Sequence, residues 1–108
     1  MEKRNLFDCL SVERGFERFD VLVEAEALTL ERIVSHGHST PLGEWYEQER
    51  SEWVVLLKGA AGLLIEGEQE ILTLMPGDYV YLPARLRHRV EWTEDNTETV
   101  WLALHHRD

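Results

Sequence analysis

The stretch GDYVYLPARLRH, residues 77–88, decides the fold of this chain. It follows Pro76, and a Pro-Gly pair is a strong turn signal because Pro presets φ and Gly accepts the left-handed region. After this turn, Tyr79–Leu82 predicts a strand that ends at the next proline. A second strand, Arg87–Thr93, begins within a few residues. The stretch therefore predicts two short strands joined by a brief connection.

The same pattern of short apolar runs between turn residues extends from Phe19 to His105. It predicts about nine strands, including one at Glu44–Gln48, and leaves no room for crossover helices. The expected fold class is therefore all-β, an antiparallel sandwich or barrel. The first 18 residues are the least regular. We accordingly expect an N-terminal extension at 1–18 and a single barrel domain at 19–108.

Side chains alternate between the two faces of a strand, and this period assigns the strand around His88. His88, Val90 and Trp92 share one face, which the apolar residues identify as the inner one. The opposite face is predicted to be an outward basic stripe of Arg85, Arg87 and Arg89. His88 is thus expected to point into the barrel, where a polar side chain is either satisfied by a neighbour or functional.

Composition excludes several classes of partner. The 108 residues include 21 acidic and 11 basic side chains, which give a formal net charge of −10. This balance argues against binding to nucleic acid or to an anionic membrane surface, since both require a basic face. The chain has no apolar run of about 18 residues that could span a bilayer. A single cysteine rules out an internal disulfide, and a cytoplasmic location is the default expectation.

Residues 77–88 resemble the second motif of the cupin superfamily, whose members are small double-stranded β-helix jelly-roll barrels. That motif is a Gly, five residues, and then Pro-x-Gly-x-x-His. Gly77, Pro83 and His88 stand at its positions, and Arg85 replaces its second Gly. The resemblance covers roughly 31–105, and it implies the antiparallel cupin fold without choosing among the many activities that this fold supports.

The first cupin motif is only half matched. Glu52 and Gly59 have its spacing, but Tyr46 and Gln48 stand where the motif has two histidines. In metal-binding cupins these positions hold one divalent ion, so the resemblance implies Gln48, Glu52 and His88 as metal ligands. Such oxygen-rich ligation suits Mn, Fe, Zn or Ni. Glu52 and Tyr46 are the implied catalytic residues, with Tyr46 as a hydrogen-bond partner of a substrate.

The other four histidines lie outside both motifs. His36 and His38 come too early to be the missing ligand pair, and a polar strand end is expected there. The alternative is that His38 folds back over the barrel mouth and supplements the site. His105 and His106 are expected to form a solvated strand end.

Three hypotheses of function remain open at this stage. The first is a metal-dependent enzyme that acts on a small polar molecule. The second is a metal-free module that binds or senses such a molecule through hydrogen bonds. The third is a structural or self-association domain, since Trp45, Trp53 and Trp101 are expected near strand surfaces. Exposed sheet edges tend to be paired or covered, which also predicts a homodimer.

Overall fold

The computed structural model describes residues 1–107 and contains eight β-strands and no helix within that range. The predicted all-β class is confirmed. No helix in the described part of the chain is long and apolar enough to cross a membrane. The strands are β1 (Glu17–Glu24), β2 (Leu28–Ser35), β3 (Ser51–Lys58), β4 (Ala61–Ile65), β5 (Leu72–Leu74), β6 (Tyr79–Leu82), β7 (His88–Thr93) and β8 (Thr99–His106).

The strands form two antiparallel sheets. The larger sheet has the order β1-β2-β8-β3-β6, and the smaller has the order β5-β4-β7. The last strand, β8, pairs with β2 on one side and with β3 on the other. Residues distant in sequence therefore become direct neighbours, and Glu52 lies opposite His105 in the ladder.

The hydrophobic core lies between the sheets. Alternate residues of each strand enter it, as the period of two requires. On β3 these are Val54 and Leu56, and on β8 they are Trp101 and Ala103. Burying one large apolar side chain stabilises the fold by about 1.5–3 kcal/mol. The core cluster consists of Val54, Leu56, Ala61, Leu63, Leu74, Leu82, Trp101 and Ala103.

The predicted strand at Glu44–Gln48 is wrong. This segment is a loop, with one isolated bridge between Tyr46 and His88. The carbonyl oxygens of Thr40, Pro41 and Glu44 accept hydrogen bonds from the Arg89 side chain. Because a side chain satisfies these groups, no strand ladder is needed there.

Two residues of β7 depart from the predicted faces. The pairing with β4 skips Glu91, so a bulge shifts the register between Val90 and Trp92. A bulge reverses the alternation that follows it, and Trp92 is accordingly exposed. Arg89 is only 7% exposed, because the 40–45 loop covers the outer face of the strand. Its predicted place in an outward basic stripe is wrong.

The N-terminal segment is attached to the larger sheet by two arginines. The guanidinium group of Arg18 on β1 donates to the carbonyl oxygen of Ser11 at 2.8 Å. The guanidinium group of Arg32 on β2 donates to the carbonyl oxygen of Leu6 at 3.1 Å and to that of Asp8 at 2.6 Å. The division into an extension and a barrel domain after residue 18 stays a prediction.

Candidate functional site

A cavity of about 150 Å³ opens between the sheets. Engineered cavities of about this volume bind benzene, so the space suits a ligand of roughly six non-hydrogen atoms. Its polar lining includes the predicted residues Tyr46, Gln48, Glu52 and His88. The remaining lining residues are Glu17, Phe19, Glu31, Ile33, Ser35, Val54, Leu63, Leu82, Val90, Trp101 and His105.

Glu52 and His88 face each other across this cavity. Glu52 Oε1 lies 3.9 Å from His88 Nε2, and both side chains are about nine-tenths buried. His88 Nδ1 is 2.9 Å from the carbonyl oxygen of Leu86. A carbonyl oxygen only accepts hydrogen bonds, so Nδ1 carries the proton and, in the neutral ring, Nε2 is left as an acceptor. One ligand atom can therefore lie within hydrogen-bond distance of both Oε1 and Nε2.

A second carboxylate–imidazole pair adjoins the first. His105 Nε2 lies 2.7 Å from Glu31 Oε1, and both side chains are largely buried. His105 Nδ1 has no hydrogen-bond partner within residues 1–107. The predicted solvated strand end is therefore wrong for His105. The period of two along Trp101, Ala103 and His105 places this ring on the inner face of β8.

A third pair lies where β1 meets the loop that carries Tyr46. His38 Nε2 is 3.3 Å from Glu17 Oε1, and the Tyr46 hydroxyl donates to the same carboxylate at 3.5 Å. Glu17 and Tyr46 line the cavity. His38 thus contacts a residue of the cavity wall, which agrees with the alternative in which it folds over the barrel mouth.

Backbone contacts hold the loop that carries Tyr46 and Gln48 over the cavity. The amide of Tyr46 donates to the His88 carbonyl oxygen at 2.7 Å, and the His88 amide donates back at 3.1 Å. The amide of Arg85 donates to the Gln48 carbonyl oxygen at 2.6 Å. Arg85 has φ 68°, a left-handed conformation, which explains why the motif favours Gly at this position.

Burial raises the pKa of three cavity residues. It raises the pKa of Glu52; His105 and His88 lower that pKa, and Glu31 raises it. Burial also raises the pKa of Glu17 above its ordinary value. The pKa of Tyr46 is raised by burial and by the nearby Glu17 carboxylate. Tyr46 therefore keeps its proton and acts as a hydrogen-bond donor, as expected of a substrate contact.

The three predicted metal ligands, Gln48, Glu52 and His88, all line this cavity. Residues 1–107 contain no group of three or more His, Cys, Asp or Glu side chains placed to hold an ion. Glu31 and His105 bond directly to each other, and only Glu52 and His88 leave space between them. The assignment of Gln48, Glu52 and His88 as metal ligands stays a prediction.

Of the eleven lining residues that were not among the predicted site residues, four carry a carboxyl, imidazole or indole group: Glu17, Glu31, Trp101 and His105. Glu31 shares a face of β2 with Ile33 and Ser35, and Trp101 shares one with His105. The alternation along each strand would have shown which side chains face inward. The pairing of β2 with β8 is long-range, however, and nothing in the local sequence brings Glu31 to His105.

Comparisons with known proteins agree with this fold. Residues 31–105 match a family model described as "Cupin domain". A crystal structure from Ralstonia eutropha JMP134, described as "a putative mannose-6-phosphate isomerase", is 40% identical to this chain. It has a TM-score of 0.95, and the match covers 100% of both chains.

More distant structures share the fold. A cupin family protein with a double-stranded beta-helix fold from Methanocaldococcus jannaschii has a TM-score of 0.69 and 17% identity. That match covers 90% of this chain and 85% of the other, and it confirms the predicted barrel. A polyketide cyclase from Streptomyces resistomycificus has a TM-score of 0.76 and 18% identity, with 100% and 80% covered. No curated protein matches the sequence of this chain.

Proposed function

The chain belongs to the cupin family, and on that premise we propose that it binds a small polar molecule in the barrel cavity without a metal. Glu52 and His88 act as the acid and the base of a proton transfer on that molecule. The observation that carries this proposal is the cavity between Glu52 Oε1 and His88 Nε2, which are 3.9 Å apart.

The protonation of this pair suits a proton relay. Burial raises the pKa of Glu52, so its carboxyl group retains a proton at a higher pH than an exposed Glu does. His88 is fixed by the Leu86 carbonyl so that Nε2 accepts. With His88 Nε2 as the base and the Glu52 carboxyl as the acid, one proton leaves a carbon atom next to a ligand carbonyl while another is added to the carbonyl oxygen. The reverse transfers return a proton to carbon. An acid and a base that line the same cavity in this way are typical of general acid–base catalysis.

The description of the Ralstonia protein as an isomerase supports this class of reaction. Aldose–ketose isomerisation moves a proton between neighbouring carbon atoms and requires an acid and a base. The phosphate in that description is not carried over to this chain. No Lys or Arg lines the cavity in the described residues, whereas phosphate recognition normally uses such side chains.

Carbon-bound proton exchange tests the proposal. Dihydroxyacetone has six non-hydrogen atoms and no charge, and in deuterated water its exchange is followed by proton NMR. We expect the protein to accelerate exchange, and Glu52→Gln and His88→Gln to reduce the rate about 10²–10⁴-fold. Glu66→Gln, a surface carboxylate outside the cavity, is the matched control. A wild-type rate equal to that of buffer would overturn the relay.

Metal use is tested in the same assay. A chelator should leave the rate unchanged, and Mn, Fe(II), Zn or Ni should not increase it. A rate that appears only with one of these ions would support the metal-dependent hypothesis instead. Thermal melts provide an independent readout, since an ion that binds only the folded state raises the melting temperature.

The proposal includes self-association through β1. This strand is at the end of the larger sheet, so its outer edge has no neighbouring strand among the described residues. Phe19, Val21 and Val23 are each at least half exposed on it. An exposed apolar edge strand is a template for pairing with a second copy. Light scattering should give twice 12.6 kDa, and Val21→Lys should give the monomer mass.

A further inference from the structure

The ionisable side chains around the cavity are mostly acidic. Glu17, Glu31 and Glu52 all line it, and no Lys or Arg does within residues 1–107. The only lining side chains able to carry a positive charge are the two imidazoles, His88 and His105. These three carboxyl groups outnumber the two imidazoles. An anionic ligand would therefore meet net repulsion in a largely buried space, where charges interact more strongly than in water.

The aromatic lining adds to this preference. Trp101, Tyr46 and Phe19 all face the cavity. The face of an aromatic ring attracts a cation, and the combination of such rings with desolvated carboxylates is typical of sites for organic ammonium groups. A cation beside Glu31 and Glu52 would also relieve the repulsion by which Glu31 raises the pKa of Glu52.

Two buried polar atoms indicate that a ligand also carries a hydroxyl group. The Nε1–H of Trp101 has no acceptor and His105 Nδ1 has no partner within residues 1–107. Trp101 is 5% exposed and His105 is 7% exposed, and both line the cavity. Buried polar groups are normally hydrogen-bonded, so each unpaired one requires an explanation. A hydroxyl oxygen accepts from the indole, and a hydroxyl hydrogen donates to the imidazole.

We propose that the ligand of this cavity is a small organic cation that bears a hydroxyl group, an amino alcohol of about six to eight non-hydrogen atoms. This inference names the ligand class for the cavity of the proposed function, and it rests on the proposed binding in that cavity but not on the proton transfer. The cavity rejects phosphorylated and carboxylated molecules of the same size.

A matched set of three probes tests the charge. Choline is the cation, 3,3-dimethylbutan-1-ol is its uncharged carbon isostere, and 3,3-dimethylbutanoate is the anion. Calorimetric titration of the full chain should show choline binding about 10-fold or more tightly than the neutral isostere. The anion should give neither heat nor a shift of the melting temperature.

Variants assign the effect to the carboxylates. Glu31→Gln and Glu52→Gln keep the shape of the side chain and remove its charge, and each should weaken choline about 10-fold while leaving the neutral isostere unchanged. Glu66→Gln should change neither affinity. The probe series on the wild-type protein stays decisive even where a variant folds poorly.

The outcomes are distinct from those of the exchange assay. Equal binding of choline and its neutral isostere, tighter binding of the anion, or no binding of choline would each overturn the cationic class. Saturable binding of Zn²⁺ or Mn²⁺ in place of choline would overturn it too. Exchange of uncharged dihydroxyacetone does not depend on ligand charge, so the relay can stand or fall separately.

Discussion

Replacement of Arg89 by Met should detach the loop that carries Tyr46 and Gln48 from the barrel. The Arg89 guanidinium group donates to the carbonyl oxygens of Thr40 and Glu44 at 3.0 Å and to that of Pro41 at 3.2 Å. It also pairs with Glu91 at 2.9 Å. Methionine keeps most of the apolar stem, so the change removes mainly the charge and its hydrogen bonds.

The expected loss follows from these contacts. A hydrogen bond to a charged group contributes about 1.5–3 kcal/mol to the free energy of unfolding. The sum of the three hydrogen bonds is the largest loss of stability that this variant could show. The actual loss is smaller, because the loop carbonyl oxygens form hydrogen bonds with water once the loop is released. We therefore expect a loss of about 3–5 kcal/mol, near the lower end of the sum of the three hydrogen bonds. This is a large part of the 5–15 kcal/mol typical of a domain.

Urea denaturation measures this loss, and Arg87→Met is the matched control. Arg87 lies two residues away and pairs with Glu66 at 2.7 Å, but its side chain is 44% exposed. Its loss should cost less than about 1 kcal/mol. Hydrogen exchange should also show a faster rate at the Tyr46 amide in the Arg89 variant. Equal losses in the two variants, with an unchanged amide rate, would refute this account of the loop.

Three further predictions concern stability. Arg85→Gly should stabilise the protein by up to about 1 kcal/mol in urea, because Gly relieves the left-handed φ; a loss would contradict this. Glu52→Gln should raise the melting temperature more at pH 7 than at pH 4. Burial raises the pKa of the Glu52 carboxyl above 4.5, so the wild-type protein loses stability as the pH rises through that range and the carboxyl ionises. An equal shift at both pH values would count against it. Burial raises the pKa of Asp20, but hydrogen bonds from Arg32 and Arg18 hold it below 3.8. Asp20→Asn should therefore cost about 1 kcal/mol at pH 7 and nothing at pH 2, and a pH-independent loss would exclude this ion pair as the cause.

The local sequence was sufficient to predict the barrel and two side chains of the site, His88 and Glu52. Glycines and prolines mark the turns, and the period of two marks the strands. That period also places His88 inward, and the motif spacing singles out Glu52. These features could be predicted because each depends on residues close together in the chain: a turn needs its own φ angles, and a strand alternates whatever its partner is.

Tertiary structure decided the remainder. The bulge at Glu91 turns Trp92 outward, and the 40–45 loop buries Arg89 from a distance of more than 40 residues. The pairing of β2 with β8 brings Glu31 to within 2.7 Å of His105. Such contacts depend on sheet register and on loop packing, which are set by the whole core. The second acid–imidazole pair, and with it the negative character of the cavity, is therefore a property of the assembled barrel rather than of any stretch of sequence.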